Sequence, residues 1–185
     1  AKRANVKKST MKQREQLMRL LKEGRLNLHI TEDLVDDVIT EALHHVNRKS
    51  VEHHITVRHK EDYLLAKMDA KLMVQVVINI VDNAIKYTPK GSNILIKTWK
   101  QGDKAVISIA DNGDGIPDEM KERVFDMFYS GANKVADSRR SLGLGLSLCR
   151  SIVNAHGGKI TVSDNTPHGT VFTITLSAVE VEIHE

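Results

Sequence analysis

The stretch Asp69-Ala-Lys-Leu-Met-Val-Gln75-Val-Val-Ile-Asn79-Ile-Val-Asp82-Asn83-Ala-Ile-Lys86-Tyr87 decides the fold. Its apolar residues recur at helical spacing, which predicts one long helix over 69–87, stopped by Pro89. Asn79, Asn83 and Lys86 stand at i, i+4 and i+7 and therefore share one face, which Gln75 and Asp82 extend. A mid-helix Asn costs about 0.5 kcal/mol against Ala. Burying its amide without a partner costs roughly 1–3 kcal/mol more. A helix that accepts this twice, one turn apart, reads as presenting amide oxygens to a ligand. Such oxygens suit a hard cation such as Mg²⁺, and Lys86 beside them suits a phosphate. The plainer alternative is a solvent-facing stripe on an amphipathic helix.

Upstream of this helix, Met11, Leu17, Met18 and Leu21 predict a helix over 11–22, with Gly24 as its stop. Thr31 reads as the N-cap of a second helix that begins with Glu32 and Asp33 and runs to about Asn47. Residues 55–58 and 64–68 read as strands. Downstream, 93–99 and 104–110 alternate as strands joined by a turn at Gln101-Gly102-Asp103. Residues 129–141 are polar and patternless, 143–155 return to helical spacing, and 159–163 and 170–176 are closing strands. The strands cluster rather than alternate with helices. The expected class is therefore α+β, a two-layer sandwich of one mixed sheet packed against helices on one face.

The 185 residues are 41% hydrophobic and 28% charged, enough for a real core and against disorder or a membrane-embedded chain. The single cysteine, Cys149, excludes an internal disulfide and is expected in the core. Residues 1–25 carry nine Lys/Arg against two Asp/Glu, whereas the other 160 carry 18 against 22. The basic arm invites a nucleic-acid reading, but no aromatic residue interleaves it, so no nucleic-acid partner is expected. The spacings among His44, His45, His53, His54 and His59 match no zinc pattern. Of the 11 glycines, ten fall at or after Gly91, so turns and candidate binding loops belong to the second half.

Two glycine motifs lie there. Asp111-Asn-Gly113-Asp-Gly115-Ile116-Pro117 follows a predicted strand, and its glycines permit a sharp bend and close approach of a ligand. It fails the calcium-loop pattern, because Gly113 holds a position that needs Asp or Asn. Gly143-Leu144-Gly145-Leu146 opens a helix, whose free N–H groups bind phosphate. Neither the dinucleotide fingerprint nor the P-loop is present. Each motif alone is equally an ordinary turn or helix entry.

Their order is more specific. An Asn-x-x-x-Asn helix, then Asp-x-Gly-x-Gly, then Phe125-x-x-Phe128, then Gly-x-Gly-x after a polar loop resembles the ATP-binding domain of sensor histidine kinases, a fold shared with gyrase, Hsp90 and MutL. The resemblance covers about residues 31–177. The strings Asp137-Ser-Arg-Arg-Ser-Leu-Gly-Leu-Gly-Leu146, Asn154-Ala-His-Gly-Gly158 and Pro167-His-Gly-Thr-Val-Phe172 resemble the potassium-responsive KdpD kinases more narrowly. The resemblance implies a Bergerat-type fold, ATP and Mg²⁺ as cofactors, and transfer of the γ-phosphoryl group to a histidine. It implies that Asp111 accepts from the adenine amino group, that Gly113 and Gly115 let the backbone close under the purine, that Ile116 is a further nucleotide-binding residue, and that Thr170 supports the adenine edge. Asn83 would be the main Mg²⁺ ligand with Asn79 beside it, and Lys86 and Tyr87 would face phosphate and ribose. Gly143, Leu144, Gly145 and Leu146 would offer backbone N–H groups to the phosphates. Residues 129–142 would form a lid hinged at Phe125 and Phe128, with Lys134, Arg139 and Arg140 meeting the γ-phosphate.

The superfamily's hydrolases and serine kinases place a Glu where Asn79 stands. Asn cannot take a proton, and a neutral imidazole nucleophile needs no base, so Asn79 favours transfer to histidine. None of the nine histidines lies in the family's His-Asp/Glu-x-x-x-Pro setting, so the acceptor is expected outside this sequence. Ser141 also replaces the glycine that usually precedes the second glycine motif. The expected organisation is a basic arm at 1–24 ending a dimerisation helix, a catalytic domain at 25–178 and a tail at 179–185. The implied partners are the dimerisation and phosphoacceptor domain of the same protein and a response regulator. The implied setting is the cytoplasmic side of a membrane-bound homodimer. An anti-sigma-type serine kinase and a degenerate scaffold are the alternatives. The missing Glu argues against the first, and the intact Asn83, Asp111 and glycine motifs against the second.

Overall fold

The computed structural model describes residues 2–46, 52–126 and 145–181, with side chains from residue 12 onward. Helix α1 (Lys2–Lys22) leads to a short strand β1 (Thr31–Leu34), then α2 (Val35–Val46), β2 (His54–His59), β3 (Leu65–Met68) and the long helix α3 (Ala70–Tyr87). Strands β4 (Asn93–Gln101) and β5 (Lys104–Asp111) follow. After them come a one-turn helix α4 (Asp118–Lys121), a 3₁₀ turn over Arg123–Phe125, helix α5 (Gly145–Ala155), and β6 (Lys159–Asp164) and β7 (Thr170–Ser177).

The main sheet has five strands in the order β2-β4-β5-β7-β6, and β1 and β3 form a separate two-stranded ribbon. β2 runs parallel to β4, and the other pairs are antiparallel. The expected mixed sheet is therefore present. The strand over 64–68 is not part of it and is tied to it by a single bridge, Ala66 to Ala178. The core lies between the sheet and helices α2, α3 and α5, in the two-layer α+β arrangement. Ile94 and Ile96 of β4, Ile107 and Ile109 of β5 and Ile174 of β7 point into it, against Met73, Val77 and Ile80 of α3 and Ile152 of α5. Strand β5 is central, so its run from Ala105 to Ile109 is buried on both faces.

Two boundaries differ from expectation. Thr31 is not an N-cap: Thr31–Leu34 pairs with Leu65–Met68, and the helix begins at Val35, with Asp36 and Asp37 in its first turn. A Thr followed by two acids fits an N-cap and an exposed strand equally, and only the distant partner strand separates them. Helix α1 begins well before residue 11 and ends as expected. Gly24 takes φ +62, and the Arg25 N–H donates to the Leu20 carbonyl at 3.0 Å. The patternless segment 129–141 lies outside the described residues. Among the described residues, no helix is long and apolar enough to cross a membrane.

Candidate functional site

Helix α3 is started by Asp69, whose carboxylate accepts from the Leu72 N–H at 3.2 Å. Its other oxygen accepts from the His29 N–H at 3.1 Å. The Asp69 N–H itself donates to Nε2 of His156, at the far end of α5, at 2.9 Å. Nε2 is thus an acceptor, so Nδ1 carries the ring proton and donates to the Ile152 carbonyl at 2.6 Å. In mid-helix, the Cys149 thiol donates to the Val76 carbonyl at 3.7 Å. The end of α5 therefore meets the start of α3, and the two helices run antiparallel. That arrangement carries the first turn of α5, Gly145 and Leu146, toward the half of α3 that bears Asn79 and Asn83.

Asn79 is 6% exposed and Asn83 half-buried, one turn apart on the same face. Oδ1 of Asn79 accepts from Arg14 of α1 at 3.4 Å, while Nδ2 is buried without a hydrogen-bond partner among the described residues. Cys149 beside it is fully buried, as expected of a core thiol. Burial pushes its pKa up to about 12, against the opposing pull of the Asn79 amide and the Arg14 charge. Lys86 is exposed at the end of α3 with Nζ 5.0 Å from the ring centre of Tyr87, which is itself exposed.

The loop after β5 closes over this end of α3. Asp111 is held by its own neighbours: Oδ1 accepts from the Gly113 N–H at 2.9 Å and from the Thr170 N–H of β7 at 3.2 Å. Burial raises the Asp111 carboxyl above the ordinary carboxylate range, and the amides of Gly113 and Thr170 pull it partly back. A Cβ on Gly113 would stand 2.9 Å from Thr88 Cγ2, so the loop packs directly on the last turn of α3. Gly115 has φ +80, where a side chain is strained. Ile116 tucks against the core. The structure thus joins Asp111, Gly113 and Thr170 by hydrogen bonds beside Thr88, with Gly115 and Ile116 in the same loop. Asn79, Asn83, Lys86 and Tyr87 lie along the adjoining α3, and the start of α5 faces its Asn79–Asn83 half. Phe128, Lys134, Arg139, Arg140, Gly143 and Leu144 lie outside the described residues. Phe125 is buried edge-on against Phe172, with ring centres 6.1 Å apart.

Four contributors were not anticipated from the sequence. Nδ2 of Asn165 donates to the Asp111 carbonyl at 2.8 Å, and Nδ1 of His168 donates to the Gly113 carbonyl at 3.0 Å. The β6–β7 turn therefore clamps the glycine loop from above. Thr88 is buried beneath the same loop; its hydroxyl donates to the Ala84 carbonyl at 2.6 Å and accepts from His53 Nε2 at 3.0 Å. Arg14 arrives from a helix 65 residues away in sequence. His168 lies in a string already singled out, but no local pattern gives any of the four its role, because their partners are set by strand order and helix docking.

The comparisons with known proteins bear on the family and the fold. The family described as "Histidine kinase-, DNA gyrase B-, and HSP90-like ATPase" matches residues 68–180. The sensor protein KdpD of Clostridium acetobutylicum is 40% identical over 150 residues, covering 81% of this chain. The adaptive-response sensory kinase SasA of Rippkaea orientalis is 40% identical over 109 residues, covering 58%. The chain spans only 17% of the length of that KdpD and 27% of that SasA. Among solved structures, the catalytic domain of histidine kinase ThkA superposes with a TM-score of 0.72 at 30% identity, covering 80% of this chain and 95% of that one. ThkA in complex with the response regulator protein TrrA gives 0.72 at 27% identity, covering 96% of this chain and 51% of that one. The chain belongs to the histidine kinase-, DNA gyrase B- and HSP90-like ATPase family, and within it is a histidine kinase ATP-binding catalytic domain.

Proposed function

We propose that this domain binds Mg-ATP between α3, the loop after β5 and the start of α5, and delivers the γ-phosphoryl group to a histidine on a dimerisation domain of the same protein. The observation that carries the reading is the anchored Asp111. Gly113 and Thr170 use only one of its oxygens, so the other keeps its acceptor capacity for the adenine amino group. Gly113, Gly115 and Ile116 form the floor of the purine site, and Thr170 its edge. Asn83 offers an amide oxygen, and Asn79 a second once it turns from Arg14, a donor set that fits Mg²⁺. When bound, Mg²⁺ would neutralise charge on the phosphates. Lys86 and Tyr87 face phosphate and ribose. The N–H groups of Gly145 and Leu146 at the helix start would receive the phosphates, with Gly143 and Leu144, outside the described residues, adding to them. Lys134, Arg139 and Arg140, outside the described residues, would supply further positive charge.

In the transfer, a lone pair on the acceptor imidazole attacks the γ-phosphorus, and the bond to the bridging oxygen breaks. ADP leaves with that electron pair, and the ring N–H proton is lost to solvent. No base is required, which suits an amide at position 79. Catalysis is then positioning and charge neutralisation. By the same reading, residues 1–24 end a dimerisation helix, 25–178 are the catalytic domain and 179–185 a tail. The intact protein is a membrane-bound homodimer that passes the phosphoryl group to a response regulator, and the potassium-sensing branch of KdpD kinases is its stimulus class. The longer match to KdpD than to SasA supports that branch.

The test uses γ-labelled ATP, Mg²⁺, this domain and the dimerisation helix pair of the same protein. Label that reaches the helix pair, is lost in acid and survives alkali is the expected phosphohistidine. Label stable in acid identifies a serine kinase, and nucleotide binding without label transfer overturns the kinase assignment.

A further inference from the structure

Helix α1 is seated on the same helix pair that forms one wall of the site. Met18 is 3% exposed and belongs to the core, Leu17 and Leu21 pack beside it, and Ser151 of α5 donates from Oγ to the Met18 sulfur at 3.1 Å. One turn before Met18, Arg14 extends along α3 and places Nη2 3.4 Å from Oδ1 of Asn79. The result is a half-buried cation spent on a neutral amide. No carboxylate pairs with it among the ion pairs of the described residues. The Asn79 amide is turned so that its oxygen meets α1 and its buried Nδ2 faces only the Cys149 sulfur. The Cys149 sulfur is a weak acceptor for that amide, so the Arg14 contact is the stronger of the two that hold this rotamer.

We infer that Arg14 is a positioning residue that withholds Asn79: with α1 seated, the guanidinium takes the amide oxygen that the metal-loaded nucleotide would use. This rests on the placement of Asn79 in the nucleotide site proposed above. Two physical reasons make the states exclusive. A guanidinium and a divalent cation sharing one oxygen repel each other strongly in a poorly solvated site. The amide must also turn to aim its oxygen elsewhere, which breaks the Arg14 bond. Seating of α1 and loading of Mg²⁺ with nucleotide are then coupled, and the coupling is reciprocal. Whatever draws α1 off α5 raises the affinity for the metal complex, and bound metal complex loosens α1.

Calorimetric titration of this chain with the β,γ-imido analogue of ATP, with and without Mg²⁺, tests this. Arg14→Ala should tighten binding in Mg²⁺ by about fivefold or more, the lower end of ordinary coupling between two sites, with little change without Mg²⁺. Met18→Asp, which unseats α1 by another route, should act in the same direction. In an Asn79→Ala background, Arg14→Ala should have no further effect. Unchanged or weaker binding in Arg14→Ala overturns the inference, as does tightening that persists without Asn79. Asp111→Asn is the control for the site itself. If it loses affinity while Arg14→Ala does nothing, the site stands and the role of Arg14 falls; if it binds normally, the site is misplaced.

Discussion

At the scale of single residues, Asp111 sets stability against function. Its carboxyl is raised by burial, so the charged form is disfavoured in the folded chain. An Asn at 111 keeps an oxygen that can accept from Gly113 and Thr170 while removing the buried charge. Asp111→Asn should therefore melt no lower than the parent, and its adenine-nucleotide affinity should fall by roughly 1–3 kcal/mol, the worth of a lost charge-assisted hydrogen bond. Paired thermal melts and calorimetry check both halves, and unchanged affinity would place the adenine elsewhere. The pH dependence follows with a definite sign. Because the folded pKa lies above the ordinary value, the carboxylate is lost earlier as pH falls. Nucleotide affinity should weaken on descending through that raised value, while the Asp111 contribution to the stability of the free chain improves over the same descent. Gly169 is the second informative position. Its φ is +118, and a Cβ there would stand 1.9 Å from the Asp111 carbonyl oxygen. Gly169→Ala should cost at least about 2 kcal/mol in urea unfolding, whereas a Cβ on Gly145 would meet nothing within 4 Å.

At the scale of elements, the antiparallel α3–α5 pair is fastened at its far end by Asp69 and His156. Asp69 caps α3, accepts from His29 and donates its N–H to His156. Asp69→Ala should lower stability by about 1–2 kcal/mol and should leave nucleotide affinity nearly unchanged, because the site lies at the other end of the helices. A loss of affinity as large as the loss of stability would show that the cap also sets the site. Helix α3 was legible because 3.6-residue spacing survives in a buried helix with a polar stripe, and Pro89 closes it. Strand β1 was not legible. Thr31, Glu32 and Asp33 carry the chemistry of a helix start, and what makes them a strand is Leu65–Met68, more than 30 residues on. The one-turn helix at Asp118–Lys121 was missed for a different reason: four residues are too short for a period to show. Lys121 pairs with Asp118 within the turn and ties it from outside to Asp164 of β6.

At the scale of the whole molecule, the motifs that could be read were those carried by consecutive residues, and the clamps that hold them together could not. Asp111 and Gly113 are readable as a loop, but Asn165, His168 and the Thr170 N–H reach them only because β7 lies beside β5 in the sheet. The Asn79 stripe was readable as polar, but its partner, Arg14, depends on where α1 docks. This division also predicts how the molecule opens. Strand β5 is buried on both faces and bonded to a neighbour on each side, so its amides should exchange only through global unfolding. Helix α1 is held by Leu17, Met18, Leu21, the Ser151–Met18 bond and the Arg14 contact, against α5 and α3 rather than by strand pairing. Native-state hydrogen exchange should therefore find the amides of α1 opening at a distinctly lower free energy than those of Lys104–Asp111. Met18→Asp should lower the first and barely move the second, because it removes the seat of α1 without touching the sheet. Equal protection of the two elements, or parallel loss in that variant, would mean that α1 folds as one cooperative unit with the sheet and cannot respond to the site separately.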